Sequence, residues 1–205
     1  MGAFAGSGLP RVSLPQVGGV GAGAFRGCPR LQSAAVGAMA ESLFESCGLL
    51  SEVEFGPSVA SIGRRAFAGS GLVSVSLHAG ILSLEVGCFA GCGGLEEVNI
   101  SGPDPFVGES AFADCPSLAV IVLCGRASSG DSCGLGGKDL WIFVTAESGV
   151  TEFCGLQTEA RLGADCLFLP PTATPSSLFT WLTPERPNAM SLVFGVLEEG
   201  EAEGG

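Results

Sequence analysis

Phe4, Phe25, Phe44, Phe67, Phe89 and Phe112 lie 21, 19, 23, 22 and 23 residues apart, and the same neighbours travel with each of them. A small or apolar residue precedes the ring (Ala3, Ala24, Leu43, Ala66, Cys88, Ala111), and Ser or Cys follows it three places on (Ser7, Cys28, Cys47, Ser70, Cys92, Cys115). Leucine comes five residues after the Phe at Leu9 and Leu72, and six after it at Leu31, Leu50, Leu95 and Leu118. An apolar pair spaced by two closes the unit: Val12/Leu14, Ala34/Val36, Val53/Phe55, Val75/Leu77, Val98/Ile100 and Ile121/Leu123. A unit this short cannot bury its own apolar face, so it must gain burial by stacking on its neighbours. The predicted fold class is a mostly β repeat solenoid of about six to seven coils with a parallel sheet.

One unit, Phe89 to Ser110, shows how a coil is built. Val98 and Ile100 are the inward side chains of a short strand, two apart as the pleat requires, and Glu97 and Asn99 point outward. Ser101-Gly102-Pro103 stops that strand, and breakers follow the others at Pro15, Gly37, Gly56-Pro57, Ala79-Gly80 and Gly125. A second apolar pair, clearest at Val59/Ile62 and Ile81/Leu84, returns across the far side before the next Phe. Each coil reads strand, turn, return, turn. Stacked at the parallel-strand spacing of ~4.8 Å, like residues form a Phe ladder, a Leu ladder and a Cys/Ser ladder. The unit that begins at Phe25 is the weakest, with a span of only 19 residues, Ala34 at a strand position and Gly37, Ala38 and Met39 in its return. Local looseness is expected there.

The repeats claim residues 1–125 of the 205, six coils in all. Residues 126–155 read as a loop with a degenerate seventh repeat or cap around Leu140–Phe153, and residues 156–205 as an irregular, partly disordered acidic tail. Hydrophobic residues make up 46% of the chain, but Gly, Pro or charge interrupts every apolar run short of the ~18 residues of a spanning helix, so no membrane insertion is expected. The formal charge is −12, from 21 acidic and 9 basic residues, the wrong sign for a nucleic-acid backbone. Arg11, Arg26 and Arg30 stand in an acid-free first forty residues, whereas Glu198, Glu199, Glu201 and Glu203 crowd the end. No secretory signal precedes the repeats, and Met1 opens directly into one, where a capping coil is expected. That start suggests a fragment of a longer protein, cytoplasmic by default and secreted or surface-displayed if a leader precedes it.

Laid out as Gly-x-x-Ala-Phe-x-Gly-Cys-x-x-Leu-x-x-Val-x-Leu-Pro, the repeat resembles the BspA-type (Treponema pallidum-type) leucine-rich repeats. Ile62-Gly63-Arg64-Arg65-Ala66-Phe67-Ala68-Gly69-Ser70 and Cys88-Phe89-Ala90-Gly91-Cys92-Gly93-Gly94-Leu95-Glu96-Glu97-Val98-Asn99-Ile100 carry the resemblance most clearly. It covers residues 1–125 and, loosely, 138–155. It implies a right-handed solenoid of a family of adhesion and protein-interaction modules, often on cell surfaces, with no shared catalytic residues. The expected function is a non-catalytic protein-interaction module or scaffold with a protein partner. A secreted or cell-surface adhesion protein is the alternative, and a thiol-based redox or metal-binding protein a more distant third.

The residues that look most like chemistry are accounted for by architecture. The chain has nine cysteines, an odd number, with no Cys-x-x-Cys pair, which favours neither a zinc site nor a full disulfide framework. Cys28, Cys47, Cys92 and Cys115 share a ladder position with Ser7 and Ser70, which asks for a small buried side chain. Stacked pairs such as Cys92 and Cys115 also fall in disulfide range. Cys124, Cys133, Cys154 and Cys166 lie off the ladder. His78, the only histidine, reads as an exposed turn residue without a nucleophile or carboxylate partner. Gly19 to Ala24 matches G-x-G-x-x-A only as a turn, lacking the strand-to-helix context and the ribose-binding acid. Asn99-Ile100-Ser101 is a glycosylation sequon, relevant if the chain is secreted. No catalytic residue, cofactor or metal ligand is expected. The candidate binding face is the outward lane of the strands: Arg11, Ser13, Ser33, Glu52, Glu54, Ser74, Ser76, Glu97, Asn99, Val120 and Val122. Val120 and Val122 are expected to expose apolar surface and to be paired or covered by the segment around Leu140–Val144.

Overall fold

The computed structural model describes residues 2–14, 19–102, 104–123, 128–129, 132–136, 140–145, 152–153, 156–157, 160–161 and 165–168. Within them the repeat is visible in single backbone angles. Gly23 and Gly27 flank Phe25, Ser42 and Ser46 flank Phe44, Arg65 and Gly69 flank Phe67, Gly87 and Gly91 flank Phe89, and Ser110 and Asp114 flank Phe112, all with φ between 53° and 71°. Positive φ at the third position of a four-residue turn is the type II pattern. In coil four, counted from Phe67, the Ala66 N–H donates to Gly63 O (3.0 Å), Ala68 N–H to Arg65 O (3.1 Å) and Ser70 N–H to Phe67 O (3.0 Å). The chain therefore turns repeatedly within a few residues and aims the ring inward.

These turns are also paired from coil to coil. Phe25 N–H donates to Leu43 O (3.1 Å), Phe44 to Ala66 O (2.7 Å), Phe67 to Cys88 O (2.8 Å) and Phe89 to Ala111 O (2.9 Å), which satisfies buried backbone as a strand ladder would. The rings follow their backbone into an offset stack from Phe4 to Phe112, with centroids 5.3–5.9 Å apart and interplanar angles of 2–20°. Phe25 through Phe112 are buried, whereas Phe4 covers Phe25 with one face and is 52% exposed.

The strands in chain order are β1 (Arg11–Leu14), β2 (Ser33–Val36), β3 (Glu52–Phe55), β4 (Ser61–Ile62), β5 (Ser74–Leu77), β6 (Ser83–Leu84), β7 (Glu97–Ile100), β8 (Phe106–Val107), β9 (Val120–Leu123) and β10 (Ser128–Ser129). After them come β11 (Trp141–Thr145), β12 (Glu152–Phe153), β13 (Leu156–Gln157), β14 (Ala160–Arg161) and β15 (Asp165–Phe168). β1, β2 and β3 pair in parallel, as do β5, β7, β9 and β11. The return halves form a second parallel sheet in the order β4, β6, β8, β10. The fold is thus a parallel-strand β-solenoid, with no helix among the described residues. The expected inward residues do face the core: Val75, Val98 and Ile121 stand in register and are buried, and so are Val59, Ile62, Ile81 and Leu84 on the return side. In coil two the return arc, residues 37–41, forms no strand, consistent with its small residues.

One discontinuity divides the strand face. β3 and β5 are not hydrogen-bonded to each other, although the turns on either side of them are paired between the same two coils. Leu72 follows its Phe by five places and Leu50 by six, yet the same difference parts neither β1 from β2 nor β5 from β7. Coil four meets coil three at Gly71, whose N–H donates to Cys47 O (3.2 Å) and where any Cβ would strike the Gly48 carbonyl oxygen. Phe55 fills the inward position at the break and meets Phe67 edge-on, centroids 5.9 Å apart at 89°.

The parallel progression ends beyond β9. β11 adds in parallel to β9, after which β15 pairs antiparallel to β11, and β14 antiparallel to β15. Residues 156–168 therefore hold three strands where an irregular tail was expected, because the apolar run Cys166-Leu167-Phe168 can pair on the free edge of β11. Cys124, Cys154 and residues 169–205, with Glu198, Glu199, Glu201 and Glu203 among them, lie outside the described residues.

Candidate functional site

The outward lane is assembled by strand register alone. In the first sheet Arg11 aligns with Ser33 and Glu52, and Ser13 with Ala35 and Glu54. In the second, Ser74 aligns with Glu97 and Val120, and Ser76 with Asn99 and Val122. Arg11, Ser13, Glu52, Glu54, Ser74 and Ser76 are exposed, while Ser33, Glu97 and Asn99 are half-buried. Arg11 Nε donates to Ser33 Oγ (3.0 Å), and Ser101 Oγ donates to Asn99 Oδ1 (3.4 Å). Partial burial, followed by the neighbouring Glu96 carboxylate, raises the pKa of Glu97. The break between β3 and β5 separates Glu52 and Glu54 from Ser74 and Ser76, so the lane is two short faces side by side.

Val120 and Val122 are paired as expected with the segment around Leu140–Val144, Val120 aligned with Trp141 and Val122 with Phe143. They are 5% and 9% exposed, so neither offers apolar surface to a partner in this state. Both sit in β9, which has β7 on one side and β11 on the other. The exposed part of the lane ends before them.

Behind the lane, the Cys/Ser ladder makes a hydrogen-bonded column. Each thiol donates to the carbonyl of the Phe in the preceding coil: Cys28 to Phe4 O (3.3 Å), Cys47 to Phe25 O (3.0 Å), Cys92 to Phe67 O (3.1 Å) and Cys115 to Phe89 O (3.1 Å). Ser7 Oγ lies 3.3 Å from Cys28 Sγ, and Ser70 Oγ 3.3 Å from Cys92 Sγ. The exchange of Cys for Ser therefore reflects a shared ability to hydrogen-bond as well as shared size. Burial pushes the Cys47 thiol up to about 11 and raises Cys88 further still. Cys28, Cys47, Cys88, Cys92 and Cys115 are in the reduced thiol form, whereas Cys133 is disulfide-bonded.

Two further contacts tie coils together, and neither was read from the sequence. The Glu45 carboxylate is buried and takes Arg26 Nε on Oε2 (3.2 Å) and Arg65 Nη2 on Oε1 (2.8 Å), bracing three successive coils. His78 is half-buried, not free at a turn: its Nδ1 accepts from Gly80 N–H (3.0 Å), which leaves Nε2 to donate to Gly56 O (3.2 Å). The partners lie about one repeat away, at positions where single-sequence patterning carries no signal. Among the described residues no group of three His, Cys, Asp or Glu is placed to hold a metal ion. No described helix is long and apolar enough to cross a membrane.

Comparison with known proteins finds a leucine-rich repeat region within the chain. The family model described as BspA type Leucine rich repeat region matches residues 33–132 in six copies. Two solved structures share the fold, each with a TM-score of 0.50. One is a leucine-rich repeat protein from Bacteroides ovatus, 18% identical over 74% of this chain and 48% of that one. The other is the T. pallidum leucine-rich repeat protein, 21% identical over 66% of this chain and 68% of that one. The chain spans about half the length of the Bacteroides ovatus protein. No curated protein matches it.

Proposed function

Because residues 33–132 form a BspA-type leucine-rich repeat region, we propose that the chain is a non-catalytic interaction module that presents its outward strand lane to a protein partner. Leucine-rich repeats generally bind proteins, and a solenoid offers a continuous face assembled from successive coils. The observation that carries the reading is the strand register, which lines up exposed Arg11, Ser13, Glu52 and Glu54 on one short face and exposed Ser74 and Ser76 on the next. Glu52 and Glu54 give its centre negative charge, which favours a partner with basic residues.

The test uses the folded full chain as bait in extracts of its native source, beside a Glu52→Arg/Glu54→Arg variant and a return-face control, Glu109→Arg. A protein captured by the native chain and the control but lost with the lane variant supports the reading. Identical capture by all three baits overturns it.

A secreted or surface-displayed adhesion protein is the second reading, favoured by the disulfide at Cys133, since disulfides persist in oxidising compartments. Protease added to intact cells of the native source should then digest the chain. Full protection in intact cells, with digestion after lysis, rejects this version.

A further inference from the structure

We propose that Cys92 with Cys115, and after them Cys28 with Cys47, are paired oxidation sites at which a disulfide cross-links one coil to the next. The spacing of serine along the ladder marks the pairs. Ser7 and Ser70 occupy the position in coils one and four, so the four ladder cysteines fall into two neighbouring-coil couples with no thiol between them.

Geometry supports both couples. Ladder neighbours one coil apart bring their side-chain heteroatoms together, Ser7 Oγ to Cys28 Sγ and Ser70 Oγ to Cys92 Sγ each at 3.3 Å, and each couple stands in that same relation of neighbouring coils. The local coil separations, read from the ring centroids of Phe89 and Phe112 and of Phe25 and Phe44, are 5.9 and 5.8 Å. A disulfide joins Cα atoms roughly 4.4–6.8 Å apart, and parallel strands of neighbouring coils stack about 4.8 Å apart, within that range. Serine bounds each couple: Ser70 Oγ touches Cys92 and Ser7 Oγ touches Cys28, and a hydroxyl cannot take part in the bond.

The carbonyls set the order of oxidation. When Cys92 and Cys115 are joined, Phe67 O and Phe89 O lose their thiol donors but keep the backbone N–H of Ser70 (3.0 Å) and Cys92 (3.3 Å). Phe25 O has the Cys47 thiol as its only donor among the described residues, so cross-linking Cys28 to Cys47 leaves a buried acceptor unpaired. Acidity points the same way. The hydrogen bond from Cys115 holds the Cys92 thiol below its ordinary value, whereas burial raises Cys47.

The oxidant is a peroxide, small enough to reach a buried thiol during local opening. The Cys92 thiolate attacks one oxygen of hydrogen peroxide, the O–O bond breaks, and the leaving hydroxide takes up the thiol proton as water. Cys115 sulfur then attacks the sulfenic sulfur, the S–O bond breaks, and a second water leaves with the Cys115 proton. Two thiols and one peroxide give one disulfide and two waters, with two electrons passing from sulfur to oxygen. A thiol reductant reverses the cross-link.

The native full chain is incubated with hydrogen peroxide, quenched, alkylated under denaturing conditions and mapped without reduction by mass spectrometry. A Cys92–Cys115 link is expected first and a Cys28–Cys47 link later, each with the loss of two hydrogens and two alkylatable thiols. Cys115→Ser and Cys92→Ser should each remove the first link and leave the second, and both place serine where coils one and four already carry it. Cys88→Ala, which matches Ala24, Ala66 and Ala111, should change neither link. Ladder thiols that all remain alkylatable, or links from Cys92 to Cys88 or between non-adjacent coils, overturn the proposal.

Discussion

Cys47 shows what stacking does to one side chain. Its sulfur is buried, donates to Phe25 O, and has its pKa pushed from 9.0 up to about 11, while Cys88 is raised as well. A thiol whose folded value is raised favours the folded state while protonated. Its contribution is therefore whole below about pH 9 and is lost as pH rises toward 11, at about 1.4 kcal/mol per pH unit for each such thiol. The chain has no Tyr and a single lysine, Lys138, so its thiols are the main groups that titrate in that window. Under reducing conditions the urea midpoint should fall steeply from pH 9 to 11, and Cys47→Ser should make that fall shallower. A midpoint that stays level across the window contradicts the burial of these thiols. The exchange of Cys with Ser revealed a small buried site. The donation to a Phe carbonyl was not legible, because the acceptor lies 22–26 residues back along the chain in the buried cases.

At the scale of the element, the turn around each Phe depends on two left-handed residues. Glycine accepts that backbone at no steric cost, and other residues lose roughly 1–2 kcal/mol there. Gly91 has φ 71°, and a Cβ on it would meet nothing closer than 3.7 Å, so Gly91→Ala tests backbone cost alone. Gly91→Ala should destabilise the chain by about 1–2 kcal/mol in urea. Ser110, at φ 55°, already carries this strain, and Ser110→Gly should return about 0.5–1 kcal/mol after the greater freedom of glycine in the unfolded chain is counted. Equal midpoints for wild type and both variants would remove the left-handed positions from the account of the fold. The glycine two places after the ring, present as Gly6, Gly27, Gly69 and Gly91, was visible in the repeat motif. The position two before it was hidden, since Ser42, Arg65 and Ser110 hold the same conformation as Gly23 and Gly87.

For the whole molecule, stability is shared between neighbours, so one charge in a ladder acts on the stack rather than on a coil. Leu95 is fully buried in coil five, in the leucine ladder it shares with Leu72 and Leu118. Leu95→Asp places an unpaired carboxylate there and should abolish or broaden the cooperative thermal transition followed by circular dichroism. A transition unchanged in midpoint and width would refute the ladder. The sequence by itself determined the period, the inward pairs, the Phe, Leu and Cys/Ser ladders and the solenoid class, because each coil repeats one local solution and burial follows from periodicity. Only the tertiary structure decided that the strand face divides between β3 and β5, how completely the flanking strands bury Val120 and Val122, and that the parallel progression meets the antiparallel β15. Those outcomes turn on register and on what lies across from a given strand, and neither is encoded within a single coil.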